Sequence, residues 1–358
     1  MDMTIGEVGA ACRHAILSSR GGDTRLGLVL AQQAYRQARA IGTDEALLEG
    51  LNALAICQAT SGCYIESVAC AIDAFRLARR IGNRLGTLNA LTTLIGASNH
   101  LLDTGGATLS MVDRTILAVT ELDDLALVVR LRNLRGVILG ALGRFSEGTA
   151  ELSLALSLSQ RSDRTTPASM IVGNLANLAV REFNNVEQAQ RAALVKNAES
   201  RITDALAIAH NEKSAEAEIR AWFNSGLFRA GQNELILARD AFQRSLGLAL
   251  QLKHLARAID AKVELGSVFA RLLQYEEAIH VFETAFVDAD ATRPSKQLHV
   301  ASEQLEKIYR LLGRNREATA SAETALRERK EYDRERENAA RELRSFWLEI
   351  GDSLNTLT

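Results

Sequence analysis

Small, large and small residues stand at positions i, i+4 and i+7 in one segment after another, the spacing that puts three side chains on one face of a helix. Ala198, Ile202 and Ala205 become Ala238, Phe242 and Ser245, then Ala278, Phe282 and Ala285, then Ala318, Ala322 and Ala325, each step being 40 residues. Upstream, the segment AYRQARAIG, Ala34 to Gly42, returns after the same 40 residues as AFRLARRIG, Ala74 to Gly82. Gly27, Ser67, Ala107 and Gly148 fill the first, small position of the looser copies. A fixed period of this size marks a repeat architecture. The small residues let a neighbouring helix come close, and the large one fills the space between the two backbones. A second apolar helix and a short turn precede each of these helices; LGRFSE (Leu142 to Glu147), LLQYEEA (Leu272 to Ala278) and LGRNREA (Leu312 to Ala318) are such turns. The pattern predicts an all-α fold of helical hairpins, about eight of them over residues 1–326. One hairpin cannot bury both of its apolar faces, whereas stacked hairpins can.

The step from Gly148 to Ala198 is 50 residues, so 10 more enter there. They fall around Arg181 to Ala198, where the sequence reads as a loop followed by an unusually long helix. Such an insertion bends the array, caps a groove or is neutral. Pro167 and Pro294 each fit the first turn of a helix, where a missing N–H costs nothing.

These residues resemble the tetratricopeptide repeat family, whose unit combines a Trp/Leu-xx-Leu-Gly-xx-Tyr helix, a Gly-x-Tyr turn and an Ala-xxx-Phe-xx-Ala helix. Leu51, Leu54, Ala55, Gly62 and Tyr64 match one copy, and Leu265, Gly266, Phe269, Tyr275, Ala278, Phe282 and Ala285 match another. The resemblance covers nearly the whole chain. It implies a right-handed superhelix of paired helices whose first helices line a concave groove. Two features depart from the family: the period is 40 residues where the family has about 34, and the closing Pro is absent. Extra turns such as AIGTDE and RIGNRL lengthen the helices instead. This longer form is similar to the repeats of bacterial regulators and kinesin light chains, which bind peptides or proteins.

Composition agrees with close-packed helices. Of 358 residues 47% are hydrophobic, yet only 5% are aromatic and 2 are Pro, a mixture that favours helix over strand. The 42 basic and 44 acidic residues are interspersed, without the basic stripe of a nucleic-acid binder. No run of about 18 apolar residues exists to span a bilayer. The amino terminus lacks a basic region followed by an apolar stretch, so a cytoplasmic location is expected. Cys12, Cys57, Cys63 and Cys70 form no CxxC pair and have no His at ligand spacing; they read as reduced, buried, small hydrophobic residues that pack, with Cys63 at a turn. No P-loop, GxGxxG, HExxH or GxSxG is present. His14, His100, His210, His254, His280 and His299 are scattered one per repeat or fewer. Neither a cofactor nor a metal is expected, and no enzyme class is indicated.

Asparagine gives the candidate site. In repeat register Asn52, Asn133 and Asn174 hold one position of their first helices, and Asn89 stands one turn earlier in its own. An amide both donates and accepts, so a row of amides can pair with a peptide backbone whatever its side chains. The resemblance implies that these residues form a ladder inside the groove; the alternative is that each caps a loop or faces water. Arg130, Arg135 and Arg220 stand near enough in sequence to hold carboxylates bidentately.

From Arg327 to Arg344 charges of both signs alternate, and Phe346, Trp347, Leu348 and Ile350 then form an abrupt apolar patch. Residues 327–358 therefore read as a charged helix that caps the array, continues into an output domain, or pairs with a second copy as a coiled coil. The end at NTLT suggests a chain truncated ahead of such a domain; bacterial proteins with similar arrays often end in a diguanylate cyclase (GGDEF) domain. The functional expectation is a non-catalytic protein- or peptide-binding module, the sensory part of a bacterial signalling protein. A constitutive scaffold or co-chaperone adaptor is the alternative, and an enzyme with an unrecognised site the third reading.

Overall fold

The structure, a computed structural model, describes residues 4–101, 105–120, 124–161, 167–289 and 296–351. They form sixteen helices, with no strand among the described residues. In chain order these are α1 (Ile5–Arg20), α2 (Thr24–Ile41), α3 (Asp44–Thr60), α4 (Tyr64–Arg80), α5 (Arg84–Leu101), α6 (Gly105–Thr120), α7 (Leu125–Ala141) and α8 (Phe145–Ser159). They continue as α9 (Ala168–Asn185), α10 (Gln188–Asn211), α11 (Ala215–Gly231), α12 (Leu235–Gln251), α13 (Leu255–Arg271), α14 (Tyr275–Ala289), α15 (Lys296–Leu311) and α16 (Asn315–Gly351). Odd-numbered helices are the first and even-numbered the second members of eight pairs, as the repeat predicts.

Local chemistry sets the helix ends. Thr4 and Glu7 form a reciprocal capping box on α1, and the side chains of Asp23, Thr43, Asp124 and Ser214 accept from backbone N–H groups of α2, α3, α7 and α11. Between pairs and within them the chain reverses through one left-handed residue. Gly42, Gly62 and Gly82 stand 20 residues apart, as do Lys213, Asn233, Lys253 and Leu273, all with positive φ. The amide of the following residue then reaches back to an orphan carbonyl, Cys63 N–H to Gln58 O at 2.9 Å for example.

The small-large-small triplets pack as their spacing requires. Ala238, Phe242 and Ser245 are fully buried, as are Ala278, Phe282 and Ala285. Each ring sits on a glycine of the preceding helix: a Cβ at Gly226 would lie 2.6 Å from Phe242, and one at Gly266 2.7 Å from Phe282. Serine at a small position adds a hydrogen bond across the pair, Ser67 Oγ donating to Ala55 O at 2.8 Å and Ser245 Oγ to Ile219 O at 3.0 Å.

The chain divides into two compact units, the first running to Glu182 and resuming at Arg336, the second spanning Phe183–Glu335. In the first, Leu88, Leu91, Leu94 and Ile95 of α5 are completely buried among α3, α4, α6 and α7. In the second, Phe242, Val263, Phe282 and Ala301 occupy the centre.

Three sequence expectations are changed. Arg181–Asn185, read as loop, continues α9, and only Val186 and Glu187 separate it from the 24-residue α10. The inserted residues extend a helix because REFNN carries no Pro or Gly to stop one. Second, Cys12 and Cys57 are buried but Cys63 and Cys70 only partly so; Cys63 occupies the N-cap of α4. Third, the charged tail is not a separate helix: α16 begins as the second helix of the eighth pair. The end of α16 is packed in the first unit, where Leu343, Phe346 and Ile350 are essentially inaccessible to water. Of the expected apolar patch, Phe346, Trp347 and Ile350 are thus covered by their own chain, while Leu348 is 83% exposed. Pro167 directly precedes α9; Pro294 and the terminal NTLT lie outside the described residues.

Candidate functional site

Asn52, Asn89, Asn133 and Asn174 lie on α3, α5, α7 and α9, all first helices of the first unit. Asn133 and Asn174 are brought into contact: Asn174 Nδ2 donates to Asn133 Oδ1 at 2.8 Å, with 9% and 5% of the two residues, Asn174 and Asn133, exposed. One turn toward the amino end of α7, Arg130 Nη1 donates to Asn89 Oδ1 at 3.5 Å. Two polar links therefore run across α5, α7 and α9 along one face, each joining residues 41 apart. Asn52 is half-buried on α3 and is not part of either link.

Arg130 is the electrostatically unusual member. Burial pushes its guanidinium down to about 10, and the positive charge of Arg20 at the end of α1 acts in the same direction. Asp124 opposes them only in part, its carboxylate being engaged as the cap of α7, 2.9 Å from Leu127 N. Among the described residues Arg130 has no ion-paired carboxylate, and Asn89 is its hydrogen-bond partner. A half-buried guanidinium short of counter-charge favours an incoming anion.

Arg135 and Arg220 are placed differently. Arg135 holds carboxylates of its own chain, Asp113 of α6 at 2.6 Å and Glu151 of α8 at 2.8 Å, and Arg132 shares Glu151 at 3.1 Å. Two residues along a helix turn the side chain by about 200°, so Arg135 faces the second helices while Asn133 faces the first. Arg220 lies on α11 in the second unit, near Glu216. There burial opposes ionisation of Glu216, but the facing His254, Arg257 and Arg220 outweigh it and hold the carboxyl at about 2.

Sequence reasoning missed Asn224 of α11, which is 3% exposed. It follows Asn174 by 50 residues, the same step as Gly148 to Ala198, so the insertion hid a residue that is in register. Among the described residues no group of three His, Cys, Asp or Glu is arranged to hold a metal. No helix among them is long and apolar enough to cross a membrane. Burial raises the thiols of Cys12, to about 12, and of Cys57 and Cys70, to about 11 each, which keeps them protonated and poorly nucleophilic at neutral pH.

No protein-family model matches the chain, and no curated protein matches it in sequence. Solved structures do. The Rap protein complexed with Competence and Sporulation Factor aligns with a TM-score of 0.52 over 92% of this chain and 99% of its own, at 11% identity. BtubC (BKLC) from P. vanneervenii aligns with a TM-score of 0.50 over 66% of this chain and 92% of its own, at 16% identity. Both are tetratricopeptide-like helical repeat proteins, and at these identities the likeness is one of fold: this chain has an all-α helical-repeat architecture of that kind.

Proposed function

We propose that the chain is a non-catalytic module that binds an extended peptide, or an extended segment of a protein, along the first-helix face of its first unit. The observation that carries this reading is the buried Asn133–Asn174 amide pair, flanked by the Arg130–Asn89 link. Amides fixed by one another keep a single orientation, and a row of them can meet peptide N–H and C=O groups without reading side chains. Arg130 adds a preference for a carboxylate, an Asp, a Glu or a chain terminus, at one end of the row. The Rap structure supports this reading, since that protein is complexed with Competence and Sporulation Factor and its fold aligns with most of this chain. A sensory role in a bacterial signalling protein follows as part of the proposal, with occupancy of the face changing the set of the helices behind it. Arg135 is assigned a structural role beside it, and Arg220 and Asn224 are candidates for the corresponding face of the second unit.

The test is a randomised short-peptide library screened against the full chain, with its best binders titrated calorimetrically. The double variant Asn133→Ala/Asn174→Ala is expected to lose at least tenfold in affinity while melting close to wild type, because both partners of the buried pair leave together. Arg130→Gln is expected to weaken acidic peptides selectively. Unchanged affinity in the double variant removes the amide row from the mechanism.

A further inference from the structure

In the second unit α12, α13 and α14 leave an apolar groove with a cavity of about 590 Å³, walled by Leu246, Leu250, Leu265, Phe269 and Val281. Leu250, at the rim of the groove, is 49% exposed. Glu276 and Glu277 of α14 border it. Glu276 shares its charge with Arg314 at 3.2 Å in an exposed pair, and Glu277 is exposed with no ion pair among the described residues.

The repeat itself indicates what such a surface accepts. Counted from the small first residue, Ser67 in α4 and Ala238 in α12, Leu246 is the counterpart of Phe75 and Gly247 the counterpart of Arg76. In the first unit that surface is covered by a helix. The Phe346 ring of α16 meets Phe75 edge-on at 5.0 Å, the Arg76 guanidinium lies 5.9 Å from the Phe346 ring centre, and Arg76 Nη2 is 2.7 Å from Glu349. Leu343, Phe346 and Ile350 stand at i, i+3 and i+7, a single helical ridge. The covering helix is acidic where the covered one is basic. In the second unit the surface is open and its charge is reversed: Gly247 replaces the arginine, and the glutamates supply negative charge.

We propose that the α12–α14 groove is a docking site for an amphipathic helix of a partner protein, presenting an aliphatic–aromatic–aliphatic ridge flanked by lysine or arginine. The end of α16 from a second copy is the wrong complement, since its three glutamates cancel the charge of its three arginines and its apolar ridge is already buried in its own chain. This site is separate from the first-helix face of the first unit and does not depend on it.

The probe is a synthetic peptide with the sequence Arg336–Gly351 carrying Glu337→Lys, Glu342→Lys and Glu349→Lys, compared with the unsubstituted peptide, in which three arginines and three glutamates cancel. Fluorescence anisotropy with the full chain is expected to show the basic peptide binding at least tenfold more tightly than the charge-balanced one. Gly247→Arg and Glu277→Lys in the full chain are each expected to weaken the basic peptide at least tenfold with the melting temperature unchanged. Neither should disturb folding: a Cβ at Gly247 meets nothing within 4 Å, and Glu277 is exposed. No binding of the basic peptide, equal binding of both peptides, or binding that survives both groove variants would overturn the proposal.

Discussion

Leu273 holds a backbone conformation that few side chains tolerate. Its φ is +61° in the turn between α13 and α14, and 71% of the residue is exposed, so nothing is gained by the side chain to offset the crowding of its Cβ. Gly143 and Gly313 carry the equivalent turns of other pairs with φ of +75° and +71°. A left-handed residue with a Cβ costs roughly 1–2 kcal/mol, and glycine returns roughly 0.4–1 kcal/mol of that through the freedom it adds to the unfolded chain. Leu273→Gly is therefore expected to stabilise the protein by about 0.5–1 kcal/mol in chemical denaturation. Asn233, at φ +64° in the turn between α11 and α12, is the internal control: asparagine tolerates this region, and Asn233→Gly should change stability little. Equal gains at both positions would show that the cost belongs to the turn and not to the leucine.

Between elements, the second unit ties α11 to α13 through charge. Glu216 Oε2 lies 3.2 Å from His254 Nε2 at the start of α13, and Glu216 Oε1 lies 3.5 Å from Arg257 Nε. The carboxyl is held at about 2 against an ordinary 4.5, so the folded state binds this proton less readily than the unfolded chain. The stabilisation is complete above the ordinary value and is lost as pH falls from there toward about 2. Glu216→Gln should thus destabilise at pH 7 and cost progressively less between roughly pH 5 and 2, read from denaturant midpoints of both proteins. A difference that stays constant across that range would mean that Glu216 acts by shape alone. The pairing of α11 with α12 was legible in the sequence, because Ala238, Phe242 and Ser245 state which face is buried. The shared register of Asn133 and Asn174 was legible for the same reason, since a repeat register converts residue number into position; the hydrogen bond between them was not. Arg135 misled because its neighbour in sequence lies on the other side of the helix, and its partners Asp113 and Glu151 come from helices whose facing residues have no common period. The long α10 was expected, but the continuation of α9 through Arg181–Asn185 and the register of Asn224 escaped for a third reason, an insertion that shifts the register by 10 residues.

At the scale of the molecule, α16 belongs to both units. Ala318, in its first turn, is buried in the second core, and Leu343, Phe346 and Ile350, in its last turns, are buried in the first. No periodicity announces that destination, since the match between Phe346 and Phe75 is a contact 271 residues apart that occurs once. Magnitudes decide what holds the tail in place. The Arg76–Glu349 pair is about half exposed on both sides, and such pairs contribute roughly 0–1 kcal/mol. Truncating a buried phenylalanine costs about 3–5 kcal/mol, and Phe346 is 1% exposed. Phe346→Ala should therefore destabilise several times more than Glu349→Gln. Hydrogen exchange locates the effect. Phe346 belongs to the first core and not to the second among the described residues, so amides of α4, α5 and α6 should exchange faster in Phe346→Ala while those of α12 to α15 keep their protection. Equal acceleration in both sets would mean that the continuous α16 joins the two cores into one cooperative unit, and the array would then transmit a change at one core to the other as a whole rather than pair by pair.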